Sequence, residues 1–259
     1  MSVLLGMSLP LPPLGEQRRI VRLLDRAADI RRRANAACAK ARAIIPALFL
    51  ESFGDPATNP KGWPMVEIGD LVDRIDGGWS PTCGEGIPTH DQWGVLKLSA
   101  VKSSGFDARE AKPLPIQADA RPELEVCNGD LLFTRKNTLD LVGTAVVVNG
   151  SPRRLMIPDT VFRLVPANPN SFRPEYLSTL INLATFRPII RQLASGSAAS
   201  MPGISKGRLL KLTVPLPAVQ LQLAFAEHVQ SLEALAGKLD ATAGKAEAMA
   251  AGLSAEVFG

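Results

Sequence analysis

The sequence predicts an α+β protein, in which one domain with a curved sheet is flanked by two long helices that form an antiparallel coiled coil. Two observations carry this prediction. A segment near the amino terminus is repeated, without a gap, at the end of the chain. Between the two copies, short apolar runs rich in β-branched residues are separated by Gly and Pro, a pattern typical of strands and turns. We therefore divide the chain into residues 1–62, 63–214 and 215–259.

The repeat joins residues 10–54 to residues 215–259 at a constant offset of 205. Twelve of its 45 residue pairs are identical, and both copies end on Phe-Gly. Each copy opens with an extended Pro-Leu-Pro segment, after which apolar residues follow a heptad pattern, as in a long paired helix. Two unrelated Ala-rich helices of similar composition would explain neither the constant offset nor the common ending.

The heptad pattern assigns the residues at which the two helices should meet. The small residues of the first copy leave space that the leucines of the second copy would fill. We also expect Pro46 to kink or end the first helix near Ile45. The predicted contact residues are Ile20, Leu23, Ala27, Ile30, Ala34 and Ile44 in the first copy, and Phe225, Leu232, Leu235, Leu239 and Leu253 in the second.

Charge also favours pairing of the two copies. Basic residues outnumber acidic ones by ten to five in residues 1–62, whereas acidic residues outnumber basic ones by five to two in residues 215–259. A chain that leaves one helix, forms a domain and returns into the other places the two helices antiparallel, with opposite charges selecting the pairing. The arginines of the first copy have two alternatives, a solvated helix face or a basic face on DNA phosphates or a partner subunit.

The central segment has the pattern of an α+β domain with a strongly curved sheet and long loops. Helical patterns occur at residues 66–72 and from residue 174 to about residue 193. The predicted strands include residues 95–98, 130–133, 143–148, 161–165 and 212–214.

Bulk composition narrows the class of protein. A net charge of +4 permits binding to a polyanion but does not by itself argue for it. The three cysteines are far apart and form no CxxC pair, which argues against a disulfide framework or a zinc site and favours a reducing cytoplasm. We expect neither a signal peptide nor a membrane-spanning segment.

Several motifs of the chain follow one another in a distinctive order. Residues 63–71 contain Trp-Pro followed by Ile-Gly-Asp-Leu, residues 77–81 read Gly-Gly-Trp-Ser-Pro, and residues 129–135 read Gly-Asp-Leu-Leu-Phe-Thr-Arg. Tyr-Leu, Gly-Ser and Gly-Ile-Ser segments follow, before Pro-Leu-Pro and Gln222. With this order and the flanking repeat, essentially the whole chain resembles type I restriction-modification specificity subunits, in a form with a single target-recognition domain. It departs from that family in having one such domain where two are usual, and Leu221 where its signature has Glu.

The resemblance implies a non-catalytic, cytoplasmic DNA-recognition subunit of a phage-defence system, which directs methyltransferase subunits and any restriction subunit to a target site. S-adenosylmethionine is then expected on the partner methyltransferase, which is adenine-specific, and no cofactor is expected on this chain. One recognition domain would read half of a split target, so a homodimer or a second half-subunit is expected. The alternative function is a coiled-coil adaptor or scaffold of a defence complex that binds only protein.

Three loops and one basic pair carry the side chains suited to DNA. The loops are residues 77–82, residues 134–138, and residues 195–197 with Lys206 and Arg208 just beyond, and the pair is residues 153–154. Cations and hydroxyls suit phosphate oxygens, and Arg and Asn also suit the guanine and adenine edges in the major groove. Each of these residues has a plainer alternative as a turn residue or a solvated side chain. The candidate DNA-contacting residues are Gly78, Ser80, Thr82, Thr134, Arg135, Lys136, Asn137, Thr138, Arg153, Arg154, Ser195, Ser197, Lys206 and Arg208.

The sequence shows no pattern typical of an active site, so we predict neither catalytic residues nor a bound metal. It lacks a phosphate-binding loop of the GxxxxGK(S/T) kind. It also lacks the Gly-rich S-adenosylmethionine loop and the Asn/Asp-Pro-Pro-Tyr/Phe motif that adenine methyltransferases need. Glu110 and Lys112, with Asp107 nearby, superficially resemble a nuclease pair, but a proline follows at once. His228 falls in the heptad pattern and is expected to be packed, while His90 lies in a loop without a partner for acid–base chemistry.

Overall fold

The computed structural model describes residues 12–115, 117–150, 152–195 and 201–258, with side chains up to residue 255. It confirms the α+β class and the long first and last helices. The helices are α1 (Leu14–Phe53), α2 (Ile68–Leu71), α3 (Pro174–Asn182), α4 (Arg187–Gln192), α5 (Lys206–Leu210) and α6 (Val219–Phe258). The strands are β1 (Met65–Glu67), β2 (Val72–Gly77), β3 (Gly94–Leu96), β4 (Val101–Lys102), β5 (Gly105–Phe106), β6 (Ala111–Pro113), β7 (Leu131–Thr134), β8 (Ala145–Val147), β9 (Leu155–Met156), β10 (Val161–Pro166) and β11 (Thr213–Pro215).

The described chain forms two compact units. The first contains residues 12–44 and 230–258, which are the larger parts of α1 and α6, and we call it the helix pair. The second contains residues 45–229, and we call it the sheet unit. The end of α1 and the beginning of α6 therefore belong to the sheet unit. Among the described residues, no helix is both long enough and apolar enough to cross a membrane.

Ion pairs show that the helix pair is antiparallel, as predicted. Arg31 Nη1 lies 3.3 Å from Glu247 Oε1. Further along α1, Arg42 Nη2 lies 2.9 Å from Asp240 Oδ2, and Arg42 Nε lies 4.0 Å from Glu233 Oε2. Residue numbers thus rise along α1 as they fall along α6. Basic side chains of the first copy meet acidic side chains of the second, as the charge distribution predicts.

Small side chains form the buried contact of the helix pair. One predicted row of α1 is confirmed, since Ile20, Ala27 and Ala34 are buried. The second buried row lies four residues after the first, where α1 has Cys38 and α6 has Ala236 and Ala243. Residues this small let two helix backbones approach closely. Four further predicted residues are partly buried, namely Leu23, Leu232, Leu239 and Leu253.

The prediction that Ile30, Ile44 and Leu235 lie in this contact is wrong. All three are exposed, although Leu235 was expected to fill space left by small residues of α1. They lie three residues after a position of the first row, whereas the contact uses the residue four positions after it. Two heptad registers share the first row and differ in the second. The prediction took the register whose second row has the larger side chains, and the structure has the other register. Exposed His228 belongs to the same wrongly assigned row.

Helix α1 does not end near Ile45. It continues through Pro46 to Phe53, so of the two predicted effects of the proline, a kink or an end, the end is wrong. A proline within a helix removes one backbone hydrogen bond but does not prevent continuation when tertiary packing is strong. Here Phe49 and Phe53, one and two turns later, are fully buried in the sheet unit.

Four small sheets form the sheet unit, and they are made by the predicted strands and by shorter ones. The largest sheet has the strand order β2-β10-β7-β8 and is antiparallel throughout. A second has the order β6-β3-β9, in which β3 and β9 run parallel. Two further antiparallel pairs join β1 to β11 and β4 to β5.

The central strands separate two hydrophobic cores, because alternate residues of a strand point to opposite faces. On β7, Leu131 and Phe133 pack in one core, whereas Leu132 packs in the other. The first core also holds α2 to α5 and the ends of α1 and α6 that belong to this unit. The second core holds the β6-β3-β9 sheet. Burial on both faces explains why β7 and β8 are continuous apolar runs.

An aromatic cluster lies at the centre of the first core. Phe49, Phe53, Tyr176 and Phe225 make ring contacts with centroid distances from 4.9 to 5.6 Å. The Tyr176 hydroxyl donates a 2.7 Å hydrogen bond to the carbonyl of Pro215, and burial raises the pKa of this phenol. Phe225, predicted as a residue of the helix–helix contact, is thus buried among aromatic rings of the sheet unit.

The repeat extends to matching hydrogen bonds. Nε2 of Gln17 donates to the carbonyl of Pro12 at 2.7 Å, and Nε2 of Gln222 donates to the carbonyl of Pro217 at 2.8 Å. In the second copy, Oε1 of Gln222 also accepts the backbone N–H of Arg173, the residue that precedes α3. The glutamine shared by both copies therefore holds the last proline of the Pro-Leu-Pro segment, Pro12 or Pro217, against the start of each long helix.

The two short helical predictions are only partly correct. In place of a helix at residues 66–72, the chain forms β1, the four-residue α2 and then β2, since Ile68 and Leu71 are buried while strands pair on either side. In place of one helix from residue 174 to about 193, α3 ends at Asn182 and α4 begins at Arg187. Buried Leu183 and Phe186 occupy the break, so packing outweighs the helical pattern.

Candidate nucleic-acid interface

Segments that are far apart in sequence meet beyond the end of β7. The carbonyl of Arg135 accepts the N–H of Ile204 at 2.7 Å, and Lys136 forms a β-bridge with Gly203. Gly203 also exchanges two backbone hydrogen bonds with Ser195, at 2.9 and 3.0 Å. Two of the three predicted DNA-contacting loops are thereby held together by backbone hydrogen bonds.

The third predicted loop reaches the same place through Lys206. Nζ of Lys206 donates to the carbonyl of Ile75 at 2.6 Å, on the strand that leads into this loop. The same nitrogen lies 3.9 Å from where a Cβ on Gly77 would be. The structure therefore brings the beginning of the 77–82 loop beside the other two.

Four cations define this site, and we call Arg135, Lys136, Lys206 and Arg208 the cation cluster. The guanidinium carbon of Arg135 lies 5.0 Å from the centre of the buried Phe162 ring, and Nζ of Lys206 lies 5.7 Å from it. Arg208 donates to the carbonyl of Leu193 at 3.1 Å. None of the four forms an ion pair with an acidic group in the described part of the chain. Their charges are therefore left for an anionic partner.

The structure removes Thr134 from the candidate DNA contacts. Its side chain is fully buried, and its hydroxyl donates to the carbonyl of Leu141 at 2.9 Å while accepting the N–H of Thr144 at 2.9 Å. The prediction failed because the strand β7 includes this residue, and its hydroxyl closes the loop that follows. Asn137 is half-buried and Thr138 exposed, so both stay available at the edge of the cation cluster.

Gly78 and Ser80 contact the protein itself. A Cβ at Gly78 would lie 2.2 Å from the carbonyl oxygen of Ile157, so glycine is needed for a close approach to the protein's own backbone. The Ser80 hydroxyl donates to Asp159 Oδ1 at 2.6 Å and accepts the N–H of Asp159 at 3.0 Å. Packing within the protein thus accounts for glycine at position 78, and a contact of Gly78 with DNA stays a prediction. Thr82 is exposed further along the same loop.

The predicted basic pair Arg153 and Arg154 lies with other elements. Arg154 donates to the carbonyl of Asp91, and its N–H donates to Glu125 Oε1 at 2.6 Å. Arg153 lines a cavity with Thr89 and His90. Both arginines are exposed, but no described contact joins them to the cation cluster. Ser197, the last candidate, lies outside the described residues.

Sequence reasoning missed Arg187, which fixes the loop between β7 and β8. Its guanidinium donates to the carbonyls of Asp140, Val142 and Gly143 at 3.1, 2.6 and 2.9 Å. Burial lowers the pKa of Arg187, and the nearby Arg191 lowers it further. No signal in the sequence links Arg187 to a loop more than forty residues earlier, because only folding brings them together.

The acidic groups of the segment that superficially resembles a nuclease pair are hydrogen-bonded to other side chains of the protein. Asp107 accepts hydrogen bonds from Arg109 and Lys102, and these partners lower its pKa to about 2. Glu110 accepts from the Ser99 hydroxyl at 2.7 Å, which lowers its pKa. No group of three or more His, Cys, Asp or Glu within the described ranges is arranged to hold a metal ion.

Comparisons with known proteins agree on one family. The specificity subunit of the type I restriction enzyme EcoEI from Escherichia coli is 33% identical over 176 residues, which are 68% of this chain and 30% of that subunit. The putative MjaX specificity subunit from Methanocaldococcus jannaschii is 22% identical over 185 residues, or 70% of this chain and 42% of the relative. The chain is similar to type I restriction enzyme specificity subunits. The resemblance predicted from the sequence is thus confirmed.

A solved type I specificity subunit shares the fold. The type I restriction-modification S subunit from M. genitalium superposes with a TM-score of 0.57 at 10% identity, covering 95% of this chain and 59% of that one. No family model matches the chain. The regions matched in the two curated specificity subunits are less than half of their lengths, so this chain corresponds to a part of such a subunit.

Proposed function

We propose that the chain recognises a DNA sequence within a type I restriction-modification complex and directs the methyltransferase subunits, and any restriction subunit, to it. The observation that carries the proposal is the cation cluster, four cations from two separated segments without an acidic partner among the described residues. Cations held on a fixed backbone are suited to phosphate oxygens, and Arg135 also to a guanine edge. Similarity to specificity subunits supports the same role.

A titration with labelled duplex DNA at several salt concentrations tests this function. The chain, together with its methyltransferase subunits, should bind with an affinity that falls steeply as salt rises, because phosphate contacts release counterions. Arg135→Ala should weaken binding and relax one base position, whereas Lys136→Ala should weaken binding to all sequences and reduce the salt slope by about 1. Absence of duplex binding even at low salt would contradict the proposal and favour the protein-only adaptor.

Lys112→Ala provides a matched control for these substitutions. Lys112 is exposed on β6 in the same unit, and no described contact connects it with the cation cluster. Its removal changes the net charge by the same amount as Lys136→Ala but should leave the salt slope nearly unchanged. Equal effects of the two substitutions would indicate general electrostatic attraction in place of a defined site.

The helix pair has an exposed apolar flank, which we propose as the docking surface for the methyltransferase subunits. The antiparallel register set by the ion pairs places Ile30 level with Met249, and Ile44 level with Leu235. Equivalent heptad positions of antiparallel helices lie on the same side of the pair, so these four exposed side chains share one flank. The ion pairs of Arg42 lie on the other flank. Neighbouring exposed apolar side chains are typical of a protein contact.

Co-purification with the methyltransferase tests this docking surface. Leu235→Asp should abolish the complex, because a buried unpaired carboxylate is costly at an apolar contact. Ala234→Asp is the matched control, since Ala234 is the exposed neighbour that points away from this flank. A complex that survives Leu235→Asp as well as Ala234→Asp would place the docking surface elsewhere.

We further propose that a second recognition domain, supplied from outside these 259 residues, covers the start of α1. Leu14 and Val21 are 70% and 55% exposed, whereas Ala226, the repeat equivalent of Val21, is 4% exposed. Gln222 in the second copy accepts the N–H of Arg173 from the sheet unit, and Gln17 would accept an equivalent group.

Native mass measurement of the active complex on its DNA site tests this arrangement. Two recognition domains per complex are expected, and Val21→Asp should reduce their assembly. A complex that methylates a two-part site with one recognition domain would contradict the proposal. We propose, in addition, that S-adenosylmethionine and the adenine-directed chemistry belong to the methyltransferase subunit, and that the complex acts in the cytoplasm.

A further inference from the structure

The loop between β7 and β8 exposes two leucines beside the cation cluster. Leu139 and Leu141 are 56% and 54% exposed, although both are large apolar side chains. The loop begins at Arg135 and Lys136, and the N–H of Asn137 contacts the carbonyl of Pro202 at 3.4 Å. The two leucines therefore belong to the loop whose first residues are two of the cations.

The backbone that carries these leucines is held at many points. Its carbonyl at Leu141 accepts hydrogen bonds from the hydroxyls of Thr134 and Thr144, at 2.9 and 2.7 Å. The N–H groups of Leu141 and Val142 both donate to the carbonyl of Thr138. Val142 is fully buried, so it anchors the loop while the preceding Leu141 stays exposed.

Side chains of helix α4 hold the same loop in place. Arg187 donates to the carbonyls of Asp140, Val142 and Gly143, and Arg191 Nη2 lies 3.1 Å from Asp140 Oδ1. Gly143 has a φ of +74°, and a Cβ there would lie 2.2 Å from a side-chain carbon of Ile190. The loop is thus packed too tightly to turn its leucines inward. Its one acidic side chain, Asp140, is paired with Arg191, which offsets part of its repulsion of phosphates.

A rigid loop with exposed leucines suits the recognition of an apolar group on DNA. In the major groove the thymine 5-methyl group is the apolar feature of a base pair, and apolar side chains contact it. Ordering a side chain on binding costs free energy, which a loop already fixed in the free protein avoids. We propose that Leu139 and Leu141 read a thymine of the target by packing against its 5-methyl group. This inference rests on the proposed DNA-recognition function.

Replacement of thymine by deoxyuridine tests the inference, because it removes only the methyl group. The preferred duplex is first selected from random sequences with the complex of this chain and its methyltransferase subunits. Each thymine is then replaced singly. At one position the wild-type complex should lose about fourfold in affinity, which corresponds to one buried methyl group. Leu139→Ala with Leu141→Ala should bind the thymine and deoxyuridine duplexes equally.

The controls separate this inference from the function on which it rests. Leu50→Ala removes another exposed leucine of the sheet unit and should retain the preference for thymine. If the wild-type complex selects no duplex at all, the DNA-recognition function fails and the inference fails with it. If it selects a duplex but tolerates every deoxyuridine, or if the double variant keeps the preference, only the leucine assignment is overturned. The leucine assignment would also be overturned if a base beside the leucines is unstacked while removal of the methyl group has no effect. In that case the leucines would act as a wedge inserted between bases.

Discussion

The helix pair and the sheet unit bury different kinds of side chain. The contact of the helix pair consists largely of small residues such as Ala34, Cys38 and Ala236. The sheet unit buries a cluster of aromatic rings and a second apolar core beneath its central strands. Large buried side chains contribute more to stability, so the sheet unit is suited to hold recognition loops rigidly. The helix pair leaves several of its large apolar side chains exposed, among them Ile30, Ile44, Leu235 and Met249, on the flank proposed to contact another protein.

The largest effect is expected in the aromatic cluster. Phe49→Ala should lower the free energy of unfolding by about 3–5 kcal/mol, because it leaves a cavity among packed rings. Leu50→Ala is the matched control, since its side chain is partly exposed and its loss should cost much less. Urea denaturation of both variants, followed by far-ultraviolet circular dichroism, measures the difference. Similar midpoints for the two would mean that the sheet unit does not depend on this cluster.

A smaller effect is expected from enlarging a side chain of the helix pair. Ala236 is fully buried, so Ala236→Leu should force the helices apart and cost about 1–3 kcal/mol. Ala234→Leu places the same side chain on the exposed face of α6 and should be nearly neutral. Thermal unfolding of both variants tests the close approach of the helices. An Ala236→Leu variant as stable as Ala234→Leu would show that the contact has room for a leucine.

Acid should weaken the sheet unit through Asp107. Its pKa is lowered to about 2 by Arg109 and Lys102, so it stabilises the fold above its ordinary pKa of 3.8. This contribution, about 2 kcal/mol at most, is lost as pH falls from about 4 to 2. Asp107→Asn should therefore be less stable than wild type at pH 7 and equally stable near pH 2. A stability difference that does not change with pH would contradict this role.

The smallest change in stability is expected in the helix pair, where a rise in pH should destabilise the fold through Glu233. Burial raises the pKa of Glu233, while Arg42 partly offsets the shift. A raised pKa means that stability is lost as pH rises above the ordinary value of 4.5. Glu233→Gln should therefore gain stability relative to wild type on going from pH 4 to pH 7, by less than about 1 kcal/mol. Thermal unfolding of both proteins at the two pH values measures it, and a relative loss would show that the Arg42 ion pair dominates.

The sequence predicted the elements of the fold better than the arrangement of the site. The repeat, the antiparallel helices and the main strands depend on periodicity and charge, which are local and visible in the chain. The second row of the helix contact was misassigned because Leu235 and Ala236 are neighbours that fit alternative registers. Only packing decided that the smaller residue is buried.

The candidate site shows the same division. Arg135, Lys136, Lys206 and Arg208 were selected from the sequence as donors suited to DNA, and folding brings them together. That Thr134 is buried, and that Gly78 meets the carbonyl of Ile157, follow from how strands and loops pack. Neither property is encoded in the neighbouring residues.

By itself, the sequence determined the fold class, the helix repeat and the family resemblance, because these follow from patterns that recur along the chain. Tertiary structure alone decided which side chains remain exposed for partners. It joined Arg187 to the loop that carries Leu139 and Leu141 across more than forty residues of chain. Hydrogen bonds and close packing between distant segments fix such a loop, and they exist only once the chain has folded.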